Sequence, residues 1–163
     1  MDRRVVASLA FAALLAACSS DPYADLVQPK DAVTLPSGLA YKVLKAGDES
    51  AHPALSNQVT VNYTLWQPPA PKSDATATDN LNITPTFKKL ESTTDDKGVS
   101  SPATFPLGKL IKGWQQMIPL MSPGERVRVW IPADLAYGEH PTRADHPPAG
   151  PLIFEIELVA IGQ

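Results

Sequence analysis

Phe105-Pro106-Leu107-Gly108-Lys109-Leu110-Ile111-Lys112-Gly113-Trp114 decides the fold of this chain, with Ile131-Pro132-Ala133-Asp134-Leu135-Ala136-Tyr137-Gly138 as its counterpart further on. In the first stretch a short apolar run bends at Gly108 and again near Gly113, then delivers a tryptophan onto a brief amphipathic helix over 112–120. Trp114, Met117 and Ile118 stand at i, i+3 and i+4 and so share one apolar face. Pro119 and the pair Pro123-Gly124 limit that helix to about two or three turns. So short a helix is not stable alone in water and requires a sheet to lie on.

Outward from it, the apolar period changes to two. Leu39, Tyr41 and Val43 alternate from residue 36 onward, and Val59, Val61, Tyr63 and Leu65 form the clearest alternating run, rich in β-branched and aromatic residues. Strands are also expected at 89–93, 103–107 and 126–131, where Val127, Val129 and Ile131 alternate with Arg126, Arg128 and Trp130. The last runs from 152 to 161, with Leu152, Phe154, Ile156 and Leu158 on one face and Glu155 and Glu157 on the other. Pro68-Pro69-Ala70-Pro71 cannot supply ladder donors, so 67–85 is expected to be a surface excursion. The 17 prolines among 163 residues fall mostly in such connections and do not contradict the strands. The fold class is therefore α+β, a curled antiparallel sheet packed over one short helix.

Arg3 and Arg4 precede an apolar run over 5–15, too short to span a bilayer, so 1–17 is expected to be a signal peptide. Leu15-Ala16-Ala17-Cys18 resembles the bacterial lipobox, with the only cysteine of the chain at the position that is lipidated; an ordinary cleavage site with an incidental cysteine is the competing reading. A lone cysteine excludes an internal disulfide. Cleavage before Cys18 would remove Arg3, Arg4 and Asp2 from 14 basic and 17 acidic side chains, leaving 12 against 16. That acidic balance argues against nucleic acid as a partner. Residues 18–35 read as a lipidated N-terminus and flexible tether, and 36–163 as one domain. Ser19 after the cysteine favours, by resemblance to sorted lipoproteins, the outer membrane.

The sequence has no Gly-rich phosphate loop, no Gly-x-Ser-x-Gly elbow and no His/Cys cluster at metal spacing. His140 and His146 lack a carboxylate or thiol partner at suitable spacing, so no metal and no cofactor is expected. Tyr63, Trp114, Tyr137 and Phe154 remain. By periodicity alone they fill the core, because aromatic rings bury most area.

The two quoted stretches resemble those of FKBP-type peptidyl-prolyl isomerases, and the likeness extends over 35–163. The resemblance implies that those four rings line one concave pocket with Trp114 as its floor. Tyr63 matches the tyrosine of a V-x-Y-T strand, and Phe154 stands where the family closes the far wall. Leu90-Glu91-Ser92-Thr93 stands where the family has F-D-S-S, which implies substrate binding for Leu90 and a catalytic acidic side chain in Glu91, its arm one methylene longer, so that its hydrogen bond to Tyr63 or the substrate is re-aimed. Leu110 and Ile111 match the aliphatic pair before Gly-Trp. The Ile111 N–H would receive one substrate carbonyl and the Tyr137 hydroxyl another.

Such a pocket needs no nucleophile. Rotation about X–Pro passes a twisted amide over a barrier of about 18–20 kcal/mol, and the twisted carbonyl is less dipolar, so an apolar box penalises the planar ground state more. The resemblance thus implies a prolyl isomerase acting on proline-containing unfolded or partly folded exported proteins, tethered to a membrane by lipid, and a site for macrolide inhibitors. Two other readings stand beside it: a non-catalytic peptide-binding or chaperone module on the same fold, with 67–85 as contact surface, and a structural lipoprotein whose pocket is filled by its own side chains. Glu91, Ala103, Leu65, His146 and the length of 67–85 depart from the family pattern; Ala103 is expected to open one wall.

Overall fold

The computed structural model describes residues 26–69, 87–140 and 149–163. The signal peptide, Cys18, the start of the tether, all of the excursion beyond Pro69 and His146 lie outside the described residues. Among the described residues seven strands and one α-helix follow in the order β1 (Val33–Thr34), β2 (Ala40–Lys45), β3 (Gln58–Gln67), β4 (Lys88–Ser92), β5 (Ala103–Pro106), α1 (Lys112–Met117), β6 (Arg126–Ile131) and β7 (Leu152–Gly162). All strand pairings among the described residues are antiparallel. The sheet runs β1-β2-β6-β7-β3-β4, with β5 also on β3. Thus one edge of β3 is shared: β5 pairs with Gln58 to Val61, and β4 with Thr64 to Gln67. This agrees with the expected α+β architecture. The expected helix over 112–120 divides at Ile118, where Pro119 ends α-helical bonding and a 3₁₀ turn (Ile118–Leu120) completes it.

Alternation decides what each face of the sheet carries. Val59, Val61, Leu65, Val127, Val129, Ile131, Leu152, Phe154, Ile156 and Leu158 point inward and are buried with Trp114, Met117 and Ile118 of the helix. Arg128 and Glu155, opposite each other on the outer face, form an ion pair at 2.8 Å. Toward the other end of that face Trp130 lies opposite Ile153, and Trp66 flanks Ile153 on the far side.

Here the tether assignment is corrected. Leu26 is buried against Phe87 and Ile153, with Trp66 and Trp130 around them. Its carbonyl accepts a 2.8 Å hydrogen bond from Trp130 Nε1, and β1 pairs with β2. From Leu26 onward the segment is part of the domain, because Trp130 on the outer face needs both an apolar cover and an acceptor.

Helix and sheet meet most closely at Gly113. A Cβ there would stand 2.5 Å from Ile131 Cγ2 and 2.7 Å from its Cδ1, and Ile131 is itself buried. Gly113→Ala is therefore expected to lower stability by about 1–3 kcal/mol, read as a lower urea midpoint with an unchanged m-value. A stability gain, as a bare helix-propensity effect predicts, would contradict this packing.

Candidate functional site

Trp114 follows Gly113, so the close approach of α1 brings its indole down to the inner sheet face, where it is 4% exposed. Three rings stand edge-on to it: Tyr63 with a centroid distance of 5.4 Å, Phe154 at 5.3 Å and Phe105 at 6.3 Å. Near-perpendicular rings place positive edges on a negative π face, the favoured arrangement. Above Trp114 lies a cavity of about 140 Å³ lined by Tyr63, Leu65, Glu91, Phe105, Leu110, Ile111, Trp114, Tyr137 and Phe154. Trp114 Nε1 is buried without an acceptor among the described residues, a cost that native cores seldom carry.

Each wall has a local cause. Tyr63 is fixed on β3 by its N–H, which donates to Thr93 Oγ1 at 2.8 Å, and its carbonyl accepts from the Thr93 N–H at 2.9 Å. Leu65 and Phe154 face each other across the β3–β7 ladder. Leu110 and Ile111 form the bend between a 3₁₀ turn (Leu107–Lys109) and α1. Tyr137 is presented by a 3₁₀ turn (Ala133–Leu135) that reverses at Gly138, whose φ of 87° suits glycine and whose N–H donates to the Ala133 carbonyl at 2.8 Å.

The rim is polar. The Tyr63 hydroxyl donates to Glu91 Oε1 at 2.6 Å. Burial, then the hydrogen bond to Glu91 and its negative charge, push the Tyr63 phenol well above the ordinary tyrosine range. Tyr137 is shifted upward too, first by burial and then by the Glu91 charge. Both phenols are therefore neutral donors at ordinary pH. The longer arm of glutamate does not prevent contact with Tyr63.

Of the residues singled out in the sequence, Tyr63, Glu91, Leu110, Ile111, Trp114, Tyr137 and Phe154 meet around this cavity. Leu90 does not line it. The β3–β4 register slips between Leu65↔Glu91 and Trp66↔Lys89, so Leu90 has no paired partner and packs half-buried on the core margin. Ala103 is also outside the lining; Phe105, two residues along the same strand, supplies a ring. Phe105 and Leu65 were missed as wall residues, although Phe105 opens the decisive stretch and Leu65 continues the alternation of Tyr63.

A larger hollow, about 430 Å³, lies beside Leu26, Pro69, Phe87 and Trp130, and its lining contains no ionisable side chain. The smaller cavity is the candidate site, because there, among the described residues, the rings converge with hydroxyl and carboxylate groups.

Comparison with known proteins agrees with this geometry. The family model described as FKBP-type peptidyl-prolyl cis-trans isomerase matches residues 49–159. The chain is 34% identical over 128 residues to the peptidyl-prolyl cis-trans isomerase Mip of Coxiella burnetii, covering 78% of this chain and 46% of that protein. It is 36% identical over 129 residues to the outer membrane protein MIP of Legionella longbeachae, covering 79% and 46%. The chain thus spans about half the length of these curated relatives. A crystal structure of a peptidyl-prolyl cis-trans isomerase from Pseudomonas syringae superposes with a TM-score of 0.61 at 27% identity, covering 85% of this chain and 86% of that one. With the matched segment running from before β3 into β7 and enclosing every wall of the cavity, the chain belongs to the FKBP-type peptidyl-prolyl cis-trans isomerase family.

Proposed function

We propose that this protein accelerates cis–trans isomerisation of X–Pro bonds in exported proteins, and that lipid on Cys18 holds it in the cell envelope, at the outer membrane. One observation carries the catalytic reading: Tyr63, Phe105 and Phe154 stand edge-on around Trp114 beneath a small cavity whose hydrogen-bonding groups lie at its rim. The relatives' names support both the reaction and the envelope.

The chemistry follows from the amide. Seating the proline ring on Trp114 takes the X–Pro bond out of water. The planar amide, being the more dipolar form, loses more solvation than the twisted one, so the gap between them narrows. The Ile111 N–H and the Tyr137 hydroxyl hold carbonyls on the flanking residues, which turns substrate binding into a fixed grip on either side of the rotating bond. Tyr63, oriented by Glu91, walls the ring. No bond to the substrate forms or breaks. An acceleration of a thousandfold to a millionfold requires about 4–8 kcal/mol.

In a proline-limited refolding assay, catalytic amounts of the protein are expected to raise the slow-phase rate in proportion to concentration. Trp114→Ala should cost about tenfold or more in kcat/KM, and Tyr137→Phe severalfold. A slow phase indifferent to the protein rejects the isomerase reading.

The anchor has its own test: cells fed alkyne-labelled palmitate are expected to label the wild-type chain and not Cys18→Ser. Label retained by the variant rejects lipidation at this cysteine.

The raised phenols give a pH signature. Below the ordinary tyrosine pKa of about 10, folded and unfolded chains hold the same phenolic protons and stability from this source is complete. Above it the unfolded chain loses protons that the folded one keeps, so stability declines with rising pH. Urea midpoints should be level between about pH 7.5 and 9.5 and fall beyond about pH 10, with a shallower fall in Tyr63→Phe. An identical slope in that variant would contradict the assignment.

A further inference from the structure

The peptide group joining Leu110 to Ile111 stands at the cavity, with both residues in its wall. All described peptides are trans, so the Leu110 C=O and the Ile111 N–H point in opposite directions from one rigid plane. The carbonyl end is held: it accepts a 2.6 Å hydrogen bond from Gln115 Nε2. The same side-chain amide donates to the Gly108 carbonyl at 3.3 Å, and the Gln115 backbone N–H donates to the Ile111 carbonyl at 3.1 Å. One residue in the first turn of α1 therefore holds three backbone carbonyls of the bend, those of Gly108, Leu110 and Ile111.

The start of the bend is fixed independently. The N–H groups of Leu107 and Gly108 donate to the carbonyls of Asn57 and Leu55, each at 3.0 Å. A side chain at Gly108 would meet the Leu55 carbonyl at 2.9 Å. What those bonds leave free is rotation of the Leu110–Ile111 plane, a coupled change of ψ at Leu110 and φ at Ile111. Their values, 174° and −59°, are ordinary extended backbone, and full reversal of the plane would carry the β-branched Ile111 to a positive φ that it disfavours, so what remains to be fixed is the tilt of the plane about this orientation. Gln115 fixes that tilt, because its amide donates to the Leu110 carbonyl from the helix side and so holds the N–H at the opposite end of the plane.

We propose that Gln115 is a positioning residue: by fixing the Leu110 carbonyl it aims the Ile111 N–H at a carbonyl of the bound proline peptide. This rests on the isomerase reading above. A hydrogen bond into one end of a peptide group also polarises it and strengthens the donor at the other. Since the grip is on a carbonyl beside the rotating bond, it acts alike on planar and twisted amide, and its loss belongs in KM.

The test compares Gln115→Met, which keeps the length and removes the donors, with Gln115→Lys, which keeps a donor within reach of both carbonyls. For Gln115→Met, KM for a short Phe-Pro peptide should rise about fivefold to tenfold, with kcat changed less than about twofold. Gln115→Lys should stay within about twofold of wild type in KM. In parallel, the Ile111 amide resonance should move downfield when that peptide is titrated into the wild type and Gln115→Lys, and should not in Gln115→Met. An unchanged KM in Gln115→Met, or an equal rise in Gln115→Lys, overturns the proposal. If the wild type binds the peptide without catalysing its isomerisation, the isomerase reading fails while the Ile111 amide response still decides the role of Gln115.

Discussion

The approach of α1 to β6 at Gly113 is the constraint on which the rest depends. Without a side chain at that position the helix backbone rests directly on Ile131. The next residue, Trp114, is then brought down to the sheet, within reach of rings from β3, β5 and β7. A helix of six residues carries no orientation of its own. It receives one from this contact and from the apolar face of Trp114, Met117 and Ile118. The floor of the site is thus an outcome of backbone packing, and the walls are neighbouring strands that present alternate residues to it.

That alternation ties the two faces of the sheet together. Leu65 and Phe154 line the cavity; Trp66 and Ile153, the adjacent residues of the same strands, stand behind them on the outer face with Leu26 and Phe87. The stretch from Leu26 to Thr34 therefore backs the wall of the site. Trp130, whose indole N–H is satisfied by the Leu26 carbonyl, couples this cover to β6, and so to the strand that Gly113 touches.

Much of this was legible in the sequence, and the remainder was not for identifiable reasons. Period-two runs at Val59 to Leu65 and Val127 to Ile131 follow directly from half-burial, and the strands lie where those runs stand. The i, i+3, i+4 set at Trp114 likewise marks the helix. Leu26 to Thr34 gave no such signal, because its role depends on a partner, Trp130, a hundred residues away, and on single contacts that leave no period. Leu90 was misplaced for a different reason. A one-residue bulge in β3–β4 is a matter of register, which pairing chemistry decides and composition does not reveal. Phe105 was visible as an aromatic residue, but its direction depends on β5 sharing an edge of β3 with β4, a topological fact that local pattern does not contain.

The placement of charge in the site follows from what an amide rotation requires. A carboxylate deep in the cavity would bring a fixed charge and its own desolvation cost to a step that transfers no proton. Glu91 is instead solvent-exposed and reaches the site only through the Tyr63 hydroxyl. The interior is left to rings, the phenols are held neutral by burial and by the nearby negative charge, and hydrogen-bond donors are confined to the rim. An apolar interior lowers the polarity felt by the rotating bond, while rim donors fix its neighbours. Each would be weaker alone: an apolar box without a grip binds the peptide less tightly, and a grip in water leaves the planar amide fully solvated. The geometry joins them because Trp114 and the Leu110–Ile111 bend are consecutive parts of one short segment, set on the sheet by a single glycine.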